Sequence, residues 1–106
     1  MPKYMIHGNY VGEGIRGLLK EGGTSRRESV KQLIEGLGGT MEAFYYTLGN
    51  EDVFVIFDAP DNVSVAAMSL VANASGAASV KTTVLLTPEQ IDEATKKSVA
   101  YRPPGQ

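Results

Sequence analysis

A single histidine, His7, stands in a chain of 106 residues that has no cysteine. An imidazole titrates near neutrality, so His7 is the first candidate for a general base or hydrogen-bond donor. One histidine cannot build a multi-histidine metal centre, and no compact run of acids neighbours it in sequence. A lone strand histidine is also a thin basis for a haem ligand. The sequence therefore argues for no metal and no cofactor. Without cysteine there are no disulfides, thiolate sites or thiol nucleophiles, which suits a reducing cytoplasm. The competing reading of His7 is a partly buried strand residue with no chemical role.

Tyr45 and Tyr46 are adjacent strand positions, so their side chains point to opposite faces. One belongs in the core; the other would offer a ring and a hydroxyl to a pocket, unless both simply pack. Gly12-Glu13-Gly14-Ile15-Arg16-Gly17 has the form G-x-G-x-x-G between a strand and a helix. The dinucleotide fingerprint, however, belongs to a parallel βαβ unit in a larger sheet. The next strand here ends in Tyr46-Thr47, with no acid for a ribose, so the glycines read as a mobile connection. Arg26-Arg27 opens a helix, an unfavourable place for positive charge. The pair either meets an anion or an acidic neighbour, or is solvated. No Ser/His/Asp set or Walker loop is legible.

Net charge is −2, which gives no electrostatic reason to expect nucleic acid or an anionic membrane as partner. No stretch approaches the roughly 20 apolar residues of a membrane span, and the start lacks the apolar run of a signal peptide. The two glycosylation sequons, at Asn62 and Asn73, therefore read as chance.

The elements that must position these residues follow from periodicity and punctuation. Residues 3–11 read as a strand. Residues 13–21 read as a short helix with Ile15, Leu18 and Leu19 inward. Ser25-x-x-Glu28 has the form of a capping box. Val30, Leu33, Ile34 and Leu37 then line one helix face. Residues 40–47 and 52–57 make a hairpin. Asp61 caps a helix over 62–75 whose predicted face is Ala66, Ala67, Leu70, Val71 and Ala74. Residues 79–86 form a fourth strand. Thr87-Pro88-Glu89-Gln90 starts a last short helix. The Pro-Pro pair precludes helix near the end.

The main elements run strand, helix, strand, strand, helix, strand. This is the ferredoxin-like βαββαβ arrangement. It predicts an α+β fold: a four-stranded antiparallel sheet with helices on one face. The domain spans 1–95 and an extended tail 96–106. Residues 52–57 are apolar on both faces, whereas a face meeting water should alternate. The expected cover is a second copy, giving a homodimer or higher oligomer in which two sheets meet as a dimeric α/β barrel. Parity assigns Tyr4, Ile6, Gly8, Val80, Thr82 and Val84 to the helix side, with Gly8 admitting a helix. It assigns Met5, His7, Asn9, Glu42, Phe44, Tyr46, Lys81, Thr83 and Leu85 to the open side. One bulge would reverse part of this.

At Leu48-Gly49-Asn50-Glu51-Asp52-Val53, followed by Ala59-Pro60-Asp61, the chain resembles the GYD-domain family. These are small bacterial and archaeal proteins of the dimeric α/β-barrel superfamily. Gly49 and Asp52 match the eponymous motif, and Glu51 stands where tyrosine is usual. Stretches 71–76, 81–86 and 101–105 resemble one subgroup. The family implies a fold rather than an activity. Gly49 and Asp52 also suit a turn, through positive φ and side-chain bonds to turn amides.

Two functional readings follow. In the first, a small organic molecule binds in a cleft between the helices and the sheet or between facing sheets, as the resemblance to the wider superfamily implies. His7 is then the base or donor, with Asn9, Tyr46 and Thr83 binding the ligand. In the second, the chain is a non-catalytic oligomeric module whose barrel interior is only a core, and Tyr101 and the Pro-Pro tail extend the interface.

Overall fold

At the centre of the molecule Tyr4 stacks on Phe57, ring centroids 5.6 Å apart. Both side chains are fully buried in the computed structural model, which describes residues 1–106. They sit on neighbouring strands of one sheet. Strand β1 (Lys3–Tyr10) leads into α1 (Glu13–Glu21) and α2 (Gly23–Gly36). Strands β2 (Thr40–Tyr46) and β3 (Val53–Asp58) follow, then α3 (Asn62–Ala74), β4 (Ala78–Leu85) and α4 (Pro88–Thr95). The sheet order is β2-β3-β1-β4, with every pair antiparallel. This is the ferredoxin-like α+β fold that the element order predicts, with α1 an added short helix before α2.

Alternation decides which side is core. Tyr4, Val53, Val55 and Phe57 are buried, and Ile34, Val65 and Met68 from the helices meet them. The register pairs Met5 with Ile56 and His7 with Phe54 on one side, and with Thr83 and Lys81 on the other. These residues share the face that no helix covers. Thr82 faces α3, where its hydroxyl lies 2.6 Å from that of Ser69. The parity assignment of β1 and β4 therefore holds. Gly8 is needed for another reason than helix approach: a Cβ there would lie 2.1 Å from the Ser79 carbonyl oxygen on β4.

Several local expectations need correction. In β2 the register shifts between Met41 and Ala43, leaving Glu42 bulged. Phe44 and Tyr46 consequently pair with Val55 and Val53 and turn toward the helices, not the open face. Tyr45 takes the open face, its ring 5.9 Å from that of Phe54. Helix α2 begins at Gly23 behind a Gly22 N-cap without a side-chain cap bond, so Ser25 is not the cap. Its first turn is held instead by Tyr46, whose hydroxyl donates to the Gly23 carbonyl at 3.0 Å. In α1, Ile15 and Leu19 are exposed and only Leu18 is half-buried, because this short helix lies on the rim.

Helix α3 buries Val65 and Met68, with Ser69 and Ala72 half-buried beside them, and leaves Leu70 and Val71 exposed. The helix is apolar nearly all round, so periodicity alone does not choose its face. Polar clips choose it. Asp61 caps the Ser64 amide at 2.8 Å. Asn73 bonds the backbone of Val80 through both its oxygen and its nitrogen. The Thr87–Gln90 capping box forms as the sequence predicts. Beyond it, every residue from Pro88 to Gln106 is exposed. The molecule spans 56 × 33 × 24 Å with a radius of gyration of 16.9 Å, against about 13 Å for a compact chain of this size.

Candidate functional site

His7 lies mid-strand on the open face, and a loop from the far side of β3 reaches it. Glu51 Oε2 is 2.6 Å from His7 Nδ1. The Thr83 hydroxyl lies 3.3 Å from Nε2. A carboxylate accepts only, so Nδ1 carries the proton in this pair. The neutral imidazole then exposes the Nε2 lone pair, which accepts from the Thr83 hydroxyl. Nε2 is thus the ring nitrogen whose lone pair is able to accept a proton.

The loop is held in place by backbone chemistry. The Thr47 amide donates to the Asp52 carbonyl at 2.7 Å, and the Asp52 amide donates to the Gly8 carbonyl at 2.9 Å. The Thr47 hydroxyl donates to the Glu51 carbonyl. Asp52 accepts from the Tyr10 amide at 3.0 Å, so it clips the hairpin to β1 and does not bond turn amides. Gly49 has φ of 150°, a region that favours glycine. Glu51 is thereby presented to His7 by a clamped turn.

A cleft of about 510 Å³ opens here, lined by His7, Asn9, Asn50, Glu51, Ser79 and Lys81 with no apolar side chain. His7, Asn9 and Thr83 share this face; Tyr46 does not. The bulge puts Tyr46 on the helix side, beside Tyr10 and Arg26. Burial raises both phenols above their ordinary range. Arg26 opposes the rise in each, while Glu21 adds to it. The sequence reading missed Glu51 as the partner of His7, because 44 positions separate them. The one available signal was its departure from the tyrosine usual in the resembling motif. Tyr10, on the helix side, was missed altogether.

No three His, Cys, Asp or Glu side chains cluster closely enough to hold a metal ion. No helix is long and apolar enough to cross a membrane.

An antiparallel sheet in the order β2-β3-β1-β4, covered by helices on one face only, defines a small α+β domain of the ferredoxin-like class. The family model of the GYD domain matches residues 4–95, and the chain belongs to that family. No curated protein and no solved structure matches it.

Proposed function

We propose that this GYD-domain protein is a homodimer that binds a small organic molecule over His7 and removes a proton from it. The observation that carries the reading is the 2.6 Å contact between His7 Nδ1 and Glu51. The pair lies in a polar cleft on a sheet face that no helix covers. A second copy, sheet to sheet, would cover the half-buried Met5, Phe54 and Ile56 and close the cleft against bulk water. Once the Thr83 hydroxyl turns from Nε2 to the ligand, His7 Nε2 takes a proton from an acidic C–H or O–H of the ligand. Glu51 stabilises the imidazolium, and Asn9 and Thr83 orient the ligand by hydrogen bonds. Lys81, on the cleft wall, offers a charge to the anion left behind. A reducing compartment such as the cytoplasm suits a chain without cysteine.

Deuterium uptake by acetylacetone, a simple carbon acid, tests the base. The wild-type chain should accelerate exchange, and His7→Ala should lower the rate by about a hundredfold. Exchange in His7→Ala at the wild-type rate would remove His7 from the role.

The full exposure of residues 88–106 favours a second reading, a non-catalytic oligomeric module whose arm lies across a neighbour. In that case no probe exchanges faster with the protein than without it, and only assembly depends on the arm.

A further inference from the structure

The helix-covered side holds a second cleft that the His7 reading leaves unused. It lies between α1, α2 and α3, has a volume of about 380 Å³, and is lined by Tyr10, Gly17, Leu18 and Arg26 among others. A smaller apolar recess adjoins it and shares Tyr10 and Arg26 as wall. Phe44, Val55, Met68 and Val80 bound that recess. The combined shape is an apolar interior with a few convergent polar groups at its mouth, the usual form of a small-molecule site.

From this arrangement we propose that the cleft binds an apolar molecule bearing one carboxylate, with Arg26 as its counter-ion. Four observations converge on it. Arg26 is half-buried yet belongs to none of the chain's ion pairs, whereas the other unpaired lysines and arginines are all exposed. An arginine withdrawn from water is the side chain suited to a carboxylate. Tyr10 lines the same cleft and recess, with its hydroxyl beside the guanidinium. Glu13 and Glu21 stand on the exposed rim. Exposed to water, these two acids are screened; they oppose a multiply charged anion such as a phosphate more strongly than a monoanion.

The fourth observation is Gly17. It sits inside α1, where glycine weakens a helix relative to alanine. No turn requires it, and a Cβ at this position would meet nothing within 4 Å. Its missing side chain is space in the cleft wall. This gives the third glycine of Gly12-x-Gly14-x-x-Gly17 a physical role that owes nothing to a nucleotide.

The probe is octanoate, followed by calorimetry and by amide chemical shifts of the full chain. Octanoate should bind and shift Leu18, Ala72 and Ala78. Arg26→Met should weaken octanoate by about tenfold or more and leave octanol binding nearly unchanged. Gly17→Phe should abolish binding of both while melting no lower than wild type, since a glycine leaves a helix. Absence of octanoate binding at millimolar concentration would overturn the proposal. So would wild-type affinity in Arg26→Met, or shifts confined to the His7 face.

Discussion

His7 and Glu51 meet at 2.6 Å across 44 positions of sequence, joined by a turn that is itself bonded to the end of β1. The pair couples a strand residue whose environment the sheet fixes to a loop residue whose identity departs from the family motif. Exchanging the carboxylate should therefore change how the imidazole is held without disturbing the sheet. In the wild-type chain the neutral ring should carry its proton on Nδ1. Glu51→Gln, which donates as well as accepts, should give a mixture of both tautomers in the imidazole nitrogen shifts. The same ratio in both proteins would mean that Glu51 does not orient His7. Both side chains are partly exposed, so the stability cost should stay within about 1 kcal/mol.

Phe57 has no exposure, and its ring stacks on Tyr4. Truncation to alanine removes that contact and opens a void between the sheet and α3. The expected loss is about 3–5 kcal/mol, read from denaturant midpoints. Leu70→Ala on the outer side of α3 should cost far less in the monomeric fold, because its side chain is already 70% exposed. Equal losses at the two sites would contradict this assignment of core and surface.

These residues also mark what the sequence discloses. Element order, the Asp61 and Thr87 caps and the alternation of β1, β3 and β4 were legible, because each follows from local spacing. The faces of β2 and α3 were not. One bulged residue at Glu42 turns Tyr46 away from His7, and no local signal marks it. Helix α3 carries apolar residues on every side, so its orientation depends on Ser69 and Asn73 finding partners on β4. The His7–Glu51 pair was illegible for a similar reason. It depends on where a six-residue turn is clamped, which is a tertiary fact. Arg26 was noticed as misplaced charge, but the cleft that gives it meaning is assembled from three helices.

Tyr10 and Tyr46 provide a pH test of the helix-side cluster. Both are raised above the ordinary phenol value of 10.0, chiefly by burial. In the unfolded chain each loses its proton near that value; in the folded chain each keeps it to higher pH. The unfolded state thus binds fewer protons in this window, and stability falls as pH rises above about 10. Below that value the contribution is fully present. An ultraviolet titration should show Tyr10 and Tyr46 ionising above the ordinary phenol value. Tyr10→Phe should remove one of them. An unchanged high-pH absorbance step in Tyr10→Phe would dissolve the cluster.

Asp61 offers the opposite sign. Bonds from Ser64 hold its carboxyl below the usual range. Its contribution is present above the unfolded value of 3.8 and is lost as pH falls through the lower folded one. Asp61→Ala should lower the melting temperature at neutral pH and flatten this acid limb, while Asp61→Asn, also a good cap, should lower it less. An acid limb unchanged in Asp61→Ala would show that another carboxylate governs it.

The exposed arm separates a self-sufficient domain from an interlocked assembly. Residues 88–106 are all exposed, and Ile91, Val99 and Tyr101 present apolar surface to solvent. Within one copy, then, removing residues 97–106 takes away little packing and should leave the denaturant midpoint of an isolated protomer nearly unchanged. If the arm lies across a second copy, the same deletion removes Val99 and Tyr101 from an interface. Ile56→Glu supplies the matching test on the sheet, since it places a charge where the two open faces would meet. The wild-type chain should have a dimer mass at micromolar concentration. Ile56→Glu should run as a folded monomer, and the deletion should raise the dissociation constant. A monomeric wild type would refute sheet-to-sheet pairing, and unchanged mass and melting after the deletion would detach the arm from assembly.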